Sequence, residues 1–496
     1  MKHLAIITIL VLSIIHCSSC RNHRLKINEK ELIKEILAQE KEKIETQSTA
    51  SEDESAETIG NPSGSFRKKE IRSVDSRRPP VILDILGTRD NTLKFTLSDI
   101  ASSIRYVKLQ IPPDTILLYD PFYNRSSLIS SVKSADGLII FQGLFGVTRF
   151  NLQGEYQETI WKNERGIDMG VQGAGWRVHD FYGVMPNNPV SILNGNIYYS
   201  FTDGPGSGQY LKYKPETIRN ISVQSQTEVP GPGSLQGDTL LITQEHPQDR
   251  FNWIYGAGPD TWAGINQKWL AGKSGSLLVT YDYKGDTLCL FKDFDRIVNF
   301  TQPQYRHPVE FVSYYYDGVL TIKQEFNDTV FRLIPPNRLL PAYIIDFGQF
   351  SVNYMEGLDP NFDLSGKYML SSLYETNDYL LIRYTRDYDC PNNRKKNAVK
   401  FYNVLFNKKQ KRLYHQPGFT ILPEDIINDL DGGISFWPDY VTPQNEMIKL
   451  VSGENIKDYV SSDRFKNAAI SEVMRQKQIS LAAGLRPTDM ILIFVK

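Results

Sequence analysis

Cysteine is scarce in this sequence, with four residues in 496, and neither sign of charge is in excess. So little cysteine excludes a small domain held together by disulfides. Lys+Arg number 56 and Asp+Glu 57, a net charge of −1, which leaves no basic surplus for a nucleic-acid face. The apolar run at the start, Leu4 to Ile15, falls well short of the about 20 residues that a membrane-spanning helix needs. There is no G-x-S-x-G elbow, no H-x-x-H and no H-E-x-x-H, so neither a serine nucleophile nor a zinc site can be named. What is present is 41% hydrophobic residues, 27 Tyr and 24 Phe. That composition excludes a disordered chain or a collagen.

The N-terminus predicts the compartment. Met1-Lys2-His3 is a short basic start, and the apolar run after it fits the core of a secretory signal peptide. Cys17-Ser18-Ser19-Cys20 follows. Small residues before a cysteine resemble a bacterial lipobox, with Cys20 as the lipidated residue and Cys17 standing where leucine is usual. The expectation is a signal peptide over 1–19 and a lipid anchor at Cys20, with ordinary secretion as the alternative. Arg21-Asn22-His23-Arg24 is not acidic, which favours the periplasmic face of the outer membrane within the cell envelope. Cleavage would remove Cys17, so the C-x-x-C spacing does not read as a redox site. Cys289 and Cys390 remain, either paired or separately buried.

Residues 20–80 read as a flexible tether. After a short charged stretch around Leu32 to Leu37 come Ser/Glu/Asp-rich and then Gly/Ser/Arg/Pro-rich segments. They sustain no apolar face that could offset the entropy of ordering. As a random coil, about 60 residues reach roughly 40 Å.

From 81 to 496 the pattern is one of short strands. Val81 to Leu86, Ile104 to Leu109 and Gly137 to Phe141 are β-like, and Asn194-Gly195 announces a hairpin before Ile197-Tyr198-Tyr199. A strand-turn-strand form recurs at Phe150 to Tyr156, at Tyr281 to Leu288, and more weakly from Phe401 through Lys409. An all-β body of this length must manage its strand edges, and radial repetition is one way to do so. Glu454 to Ala483 predicts a helix ended by Gly484 and Pro487. Met490 to Val495 then predicts a closing apolar strand.

Several segments together resemble the six-bladed β-propeller lipoproteins of the Bacteroidota. They are Leu97-Ser98-Asp99-Ile100 with Ile104 to Leu109, Phe326 to Phe331, Pro341 to Gly348, Ser435-Phe436-Trp437-Pro438, and the terminal helix and strand. The resemblance spans 97–496. It departs at Arg486-Pro487-Thr488-Asp489 and at Glu164 to Asp168. It implies an all-β, six-bladed propeller with a C-terminal helix and closing strand, but no defined activity.

Motifs for chemistry are sparse. Gly204 to Gly208 has no helix after it to cradle a phosphate. Gly272-Lys273-Ser274 lacks the first P-loop glycine. Asp429-Leu430-Asp431-Gly432 echoes a calcium loop without its first carboxylate or its final Glu, though a surface cation is conceivable there. His179 beside Asp180, following Trp176, could orient a base or ligand, or could be structural. Trp253, Trp262 and Trp269 lie in a Gly/Pro/Asn-rich stretch, where exposed rings could stack on sugars or grip peptides, or could instead cover the core. Arg383, Arg386, Asp387 and Asp389 read as a solvated face or a polar binding site. The leading expectation is a membrane-anchored lipoprotein that binds a glycan, peptide or envelope protein, with no nucleic acid and no nameable cofactor. The alternatives are a lyase or hydrolase with a site in the central channel, and a structural envelope component.

Overall fold

The structure is a computed structural model. It describes residues 70–72, 79–112, 131–135, 138–143, 146–162, 191–193, 196–202, 208–213, 235–236, 239–241, 251–258, 261–266, 276–282, 287–292, 311–358, 362–387, 399–420 and 425–496. The chain divides into two units, Met1–Lys68 and Lys69–Lys496. The expected signal peptide, Cys20 and nearly all of the expected tether lie outside the described residues.

The second unit is mostly β. Its described strands form six sheets, each built largely from consecutive antiparallel strands in a propeller-like succession. Sheet 1 is Ser131–Ala135, Leu138–Gly143, Gly146–Asn151 and Tyr156–Lys162. Sheet 2 runs from Ser191–Leu193 to Leu235–Gln236 and Thr239–Leu241. Sheet 3 is Phe251–Gly258, Thr261–Asn266, Ser276–Asp282 and Thr287–Lys292. Sheet 4 is Val312–Tyr316, Val319–Lys323, Thr329–Ile334 and Arg338–Asp346. Sheet 5 is Tyr368–Glu375, Tyr379–Arg386, Lys400–Asn407 and Arg412–His415. Sheet 6 is Tyr440–Val441, Met447–Ser452 and Met490–Val495, completed by the N-terminal strand Ile104–Lys108. The three strand-turn-strand repeats of the sequence are the outer hairpins of sheets 1, 3 and 5.

The described residues 70–72 and 79–110 form a belt along the outer edges. Glu70–Arg72 adds a parallel strand beside Cys289 to Phe291 of sheet 3, and Val81–Asp84 adds one beside Tyr343 to Asp346 of sheet 4. Thr92 then bridges His415 of sheet 5, Ile104–Lys108 enters sheet 6, and Gln110 bridges Glu155 beside sheet 1. Each step saturates backbone groups that an open edge would expose. The sheet therefore begins inside the stretch expected to be tether. Three residues, Glu70-Ile71-Arg72, are too few to show a period in the sequence.

Apolar faces pack sheet against sheet. The closing strand shows why its six residues are all apolar. Ile491, Ile493 and Val495 enter a core shared with Leu381 and Leu405 of sheet 5. Met490, Leu492 and Phe494 enter a second core with Phe150 and Tyr156 of sheet 1. Alternation sends successive side chains to opposite faces, and here both faces are covered. Each such side chain contributes about 1.5–3 kcal/mol of burial.

The C-terminal helix is not continuous. Three helices, Gly453–Ser461, Asp463–Lys466 and Glu472–Ala483, occupy the expected range. Ser462 and Ser471 take extended backbone, and their hydroxyls accept the amides of Phe465 and Met474. Serine offers the backbone such a local partner and so starts helices rather than continuing them. Gly484 does end the last helix, with its amide donating to Leu481 O at 3.1 Å.

Candidate functional site

The site grows out of sheet 5, whose strands carry tyrosines in cross-strand register. Tyr384 lies opposite Tyr402, and Arg386 lies opposite both Tyr368 and Lys400. Side chains two apart share a face, so these residues stand together at one end of the sheet. Tyr384 and Tyr402 stack at 4.8 Å with 9° between their planes. Tyr368 stacks on Phe347 at 5.8 Å.

Tyr368 and Tyr402 stand in a row of four rings with Phe350 and Phe419. Phe350 meets Tyr368 at 6.2 Å, Tyr368 meets Tyr402 at 6.3 Å, and Tyr402 meets Phe419 at 6.1 Å. The outer members are open to solvent, with Phe350 42% and Phe419 51% exposed, while Tyr368 is buried and Tyr402 half-buried. Phe350 comes from the connection between sheets 4 and 5, and Phe419 follows the last strand of sheet 5.

Three cations line the row. Lys400 Nζ lies 4.8 Å from the Phe419 ring centre, and Arg386 lies 5.7 Å from that of Tyr368. The third, Arg89, is delivered by the belt as it crosses from sheet 4 to sheet 5. The Asp84 carboxylate accepts the Gly87 amide, Thr88 Oγ1 donates to Asp84 O, and Thr88 meets His415 Nε2 at 3.1 Å. That turn places the Arg89 guanidinium 5.0 Å from the Tyr368 ring and 5.7 Å from the Tyr402 ring, with a 2.5 Å hydrogen bond to Tyr368 Oη. Burial works against its charge, but the bond to Tyr368 and the nearby phenols outweigh that and raise its pKa. Burial, then the charge of Arg89, lower His415 to about 4, so at neutral pH its ring adds no charge. Burial raises Tyr384 and Tyr402, and both stay protonated.

Two buried ionic clusters tie neighbouring sheets together, one at the opposite end of sheet 5 and one near its middle. The Arg332 guanidinium of sheet 4 donates to both oxygens of Glu375 in sheet 5, at 2.8 and 3.2 Å. Tyr314, Tyr343 and Lys408 donate to the same carboxylate. Burial opposes its charge, yet Arg332 and Lys408 hold its pKa down at about 2. Between sheets 5 and 6, Asp425 accepts from Arg383 at 2.9 Å and from Lys449. Arg383 also lies 4.1 Å from the Trp437 ring, whose Nε1 donates to Ser372. Near them Asp439 accepts the Leu450 amide, and burial raises it to about 6.

The residues expected from the sequence are distributed otherwise. Cys20, Trp176, His179, Asp180 and Trp269 lie outside the described residues, as do Cys390 and Asp389. Trp253 is in a strand of sheet 3, with its side chain outside the description. Trp262 is not in a loop: it lies in the strand Thr261–Asn266 and is 1% exposed, a core ring with no face for a ligand. Cys289 is fully buried. Arg383 is buried rather than solvated. Asp429 and Asp431 do not form a cation loop. Asp429 accepts from Thr96 and Ser98, and Asp431 from Tyr106, Asn428 and Lys477, so their oxygens are already engaged. Among the described residues no three His, Cys, Asp or Glu side chains gather as a metal site. No described helix is long and apolar enough to cross a membrane.

Arg89 and the ring row could not be read from sequence spacing, because their members come from five separate segments between positions 89 and 419. The cross-strand tyrosines were the available signal, since aromatics at alternate positions of neighbouring strands meet on one face.

Several solved structures are similar at low identity. A DUF4221 family member from Bacteroides vulgatus matches with a TM-score of 0.39 and 10% identity, over 80% of this chain and 97% of that one. BamB from Moraxella catarrhalis matches with a TM-score of 0.30 and 9% identity, over 57% of this chain and 62% of that one. A protein of unknown function from Bacteroides caccae matches with a TM-score of 0.27 and 12% identity, over 58% of this chain and 85% of that one. No curated protein matches. Residues 63–462 match the family model described as the domain of unknown function DUF4933, and the chain belongs to that family.

Proposed function

We propose that this protein is a lipid-anchored binding lipoprotein of the cell envelope, whose body is a six-bladed β-propeller presenting the ring row to a glycan, peptide or envelope protein. The propeller reading is supported by the six successive sheets and by the N-terminal strand that completes the last of them. That arrangement completes the last sheet with a strand that precedes the first sheet in the chain, which ties the first and last parts of the body together. Anchoring rests on the Cys20 motif alone. It is tested by fatty-acid labelling of the wild-type chain and of Cys20→Ala, which should lose the label.

The observation that carries the binding reading is the pair of exposed rings Phe350 and Phe419, linked through the buried Tyr368 and half-buried Tyr402, with Arg89, Arg386 and Lys400 beside them. Large exposed rings cost solvation and are enriched where proteins bind partners. Cations held over ring faces keep their charge available at the surface. The experiment is capture of ligands from a glycan array and from envelope extract by the full mature chain and by Phe419→Ser. Ligands held by the wild-type protein and lost from the variant support the reading. Equal capture by both, or none by either, refutes it.

A further inference from the structure

We propose that the ring row is a subsite for an acidic oligosaccharide, a chain of sugar rings bearing carboxylates. The inference rests on the binding reading above and names the ligand class of that same site. Three features carry it.

The first is the shape of the row. Two exposed rings, Phe350 and Phe419, stand at the ends of a line carried between them by Tyr368 and Tyr402 at steps of 6.2, 6.3 and 6.1 Å; Tyr368 is itself buried, so the end rings are the faces a ligand can cover. Such a line matches an extended chain ligand rather than one compact molecule. Successive planes meet at 80°, 55° and 50°. Nucleic-acid bases need flat faces to stack on in series. A sugar needs only one ring against its C–H face, and each sugar of a chain can turn about its linkage to meet the next.

The second is charge left standing. Arg386 and Lys400 are direct cross-strand partners, and like charges placed so oppose the sheet. The nearby Asp387 offsets this only in part: its contact with Arg386 Nε is 3.7 Å, and it accepts the Gly366 amide at 2.5 Å. Arg386 Nε is buried and makes no hydrogen bond, although buried polar atoms nearly always do. An anion held by the accessible part of the Arg386 guanidinium and by Lys400 would offset the like-charge pairing.

The third is Arg89. Its partners are phenols and ring faces, which fix its position without cancelling its charge. A planar guanidinium fork matches a carboxylate in two parallel hydrogen bonds. Arg89 thus presents a pre-positioned carboxylate receptor beside the two central rings.

The test is calorimetric titration of the full mature chain with uronic-acid oligosaccharides, with the same oligosaccharides after carboxyl reduction, and with single-stranded oligothymidylate. The uronates should bind, and the reduced forms should bind about tenfold more weakly, the worth of one charge-assisted contact. Arg89→Gln and Lys400→Gln should each weaken uronate binding about tenfold, and Phe419→Ala by a similar factor. Thermal unfolding of each variant checks that it is folded. Lys400, whose side chain rests on an exposed ring, provides a second charge variant should Arg89→Gln disturb the belt. Val473→Ser, on the 80% exposed Val473 of the last helix, should bind as the wild type does. Equal binding of reduced and acidic forms would overturn the acidic class while leaving the binding reading intact. Preference for oligothymidylate would overturn it in favour of nucleic acid. Absence of any glycan binding, together with capture of other ligands through Phe419, would overturn this inference but not the broader one.

Discussion

The Arg89 guanidinium donates a 2.5 Å hydrogen bond to the Tyr368 hydroxyl across 279 positions of sequence. The bond ties the belt to the first strand of sheet 5 and makes an edge segment part of the site. Tyr368→Phe keeps the ring beneath Arg89 and removes only the acceptor. A partly buried bond with one charged partner contributes about 1.5 kcal/mol, so urea denaturation should show a loss of that order. An unchanged midpoint would mean that the belt does not close on Tyr368 in solution.

The tie between sheets 4 and 5 should be the most sensitive polar position among the described residues. Glu375→Gln leaves Arg332 and Lys408 facing each other without their carboxylate in a site where Glu375 is fully buried. Removing one member of such a buried group costs about 3–5 kcal/mol. Because the folded pKa of Glu375 is lowered to about 2, its contribution is present above the unfolded carboxylate range and is lost as pH falls through 2. The gap in stability between wild type and variant, measured against pH, should therefore narrow below about pH 4.5. A gap constant down to pH 2 would contradict the charge-based account.

His415 and Asp439 predict opposite responses to mild acid. His415 is held near 4 in the fold, below the usual imidazole value of about 6.5. The unfolded chain takes up this proton first, so the group destabilises the fold as pH falls from 6.5 toward 4. His415→Gln should remove that component from the pH profile of thermal unfolding. Asp439 is raised to about 6. It favours the fold at low pH, and that contribution is lost as pH rises through 6. Asp439→Asn should flatten this limb, and a slope unchanged by either substitution would show that the groups titrate normally.

Gly154 turns the outer hairpin of sheet 1 at φ +82°, where an added Cβ would lie 2.3 Å from Lys108 O. Its carbonyl also accepts the Gln110 amide at 2.7 Å, which docks the belt. Gly154→Ala meets both left-handed strain, about 1–2 kcal/mol, and a backbone collision. The expected result is a loss of stability greater than the strain alone, read by denaturant unfolding. A neutral effect would show that the belt does not pack there.

Which parts were legible follows from range. The outer hairpins at Phe150 to Tyr156 and Tyr281 to Leu288 were readable because turn residues and alternation act within a few positions. The helix break at Ser462 was missed because an apolar period outweighs one hydroxyl in a pattern, while in space that hydroxyl captures the Phe465 amide. Trp262 stands in a Gly/Pro/Asn-rich context that reads as loop, yet its strand pairs on both sides. Local composition carries no information about which neighbours saturate a backbone.

The sequence by itself determined a β-rich body, the positions of many of its strands, and the buried, fully apolar character of the closing strand, because these depend on period and hydrophobicity along the chain. Only the tertiary structure decided that 70–72 and 79–110 form a belt, that Arg89 reaches Tyr368, and that Phe350, Tyr368, Tyr402 and Phe419 form one row. Each of those depends on edge pairing and cross-strand register between segments far apart, and pairing energy is set by where backbones meet, not by their order in the chain.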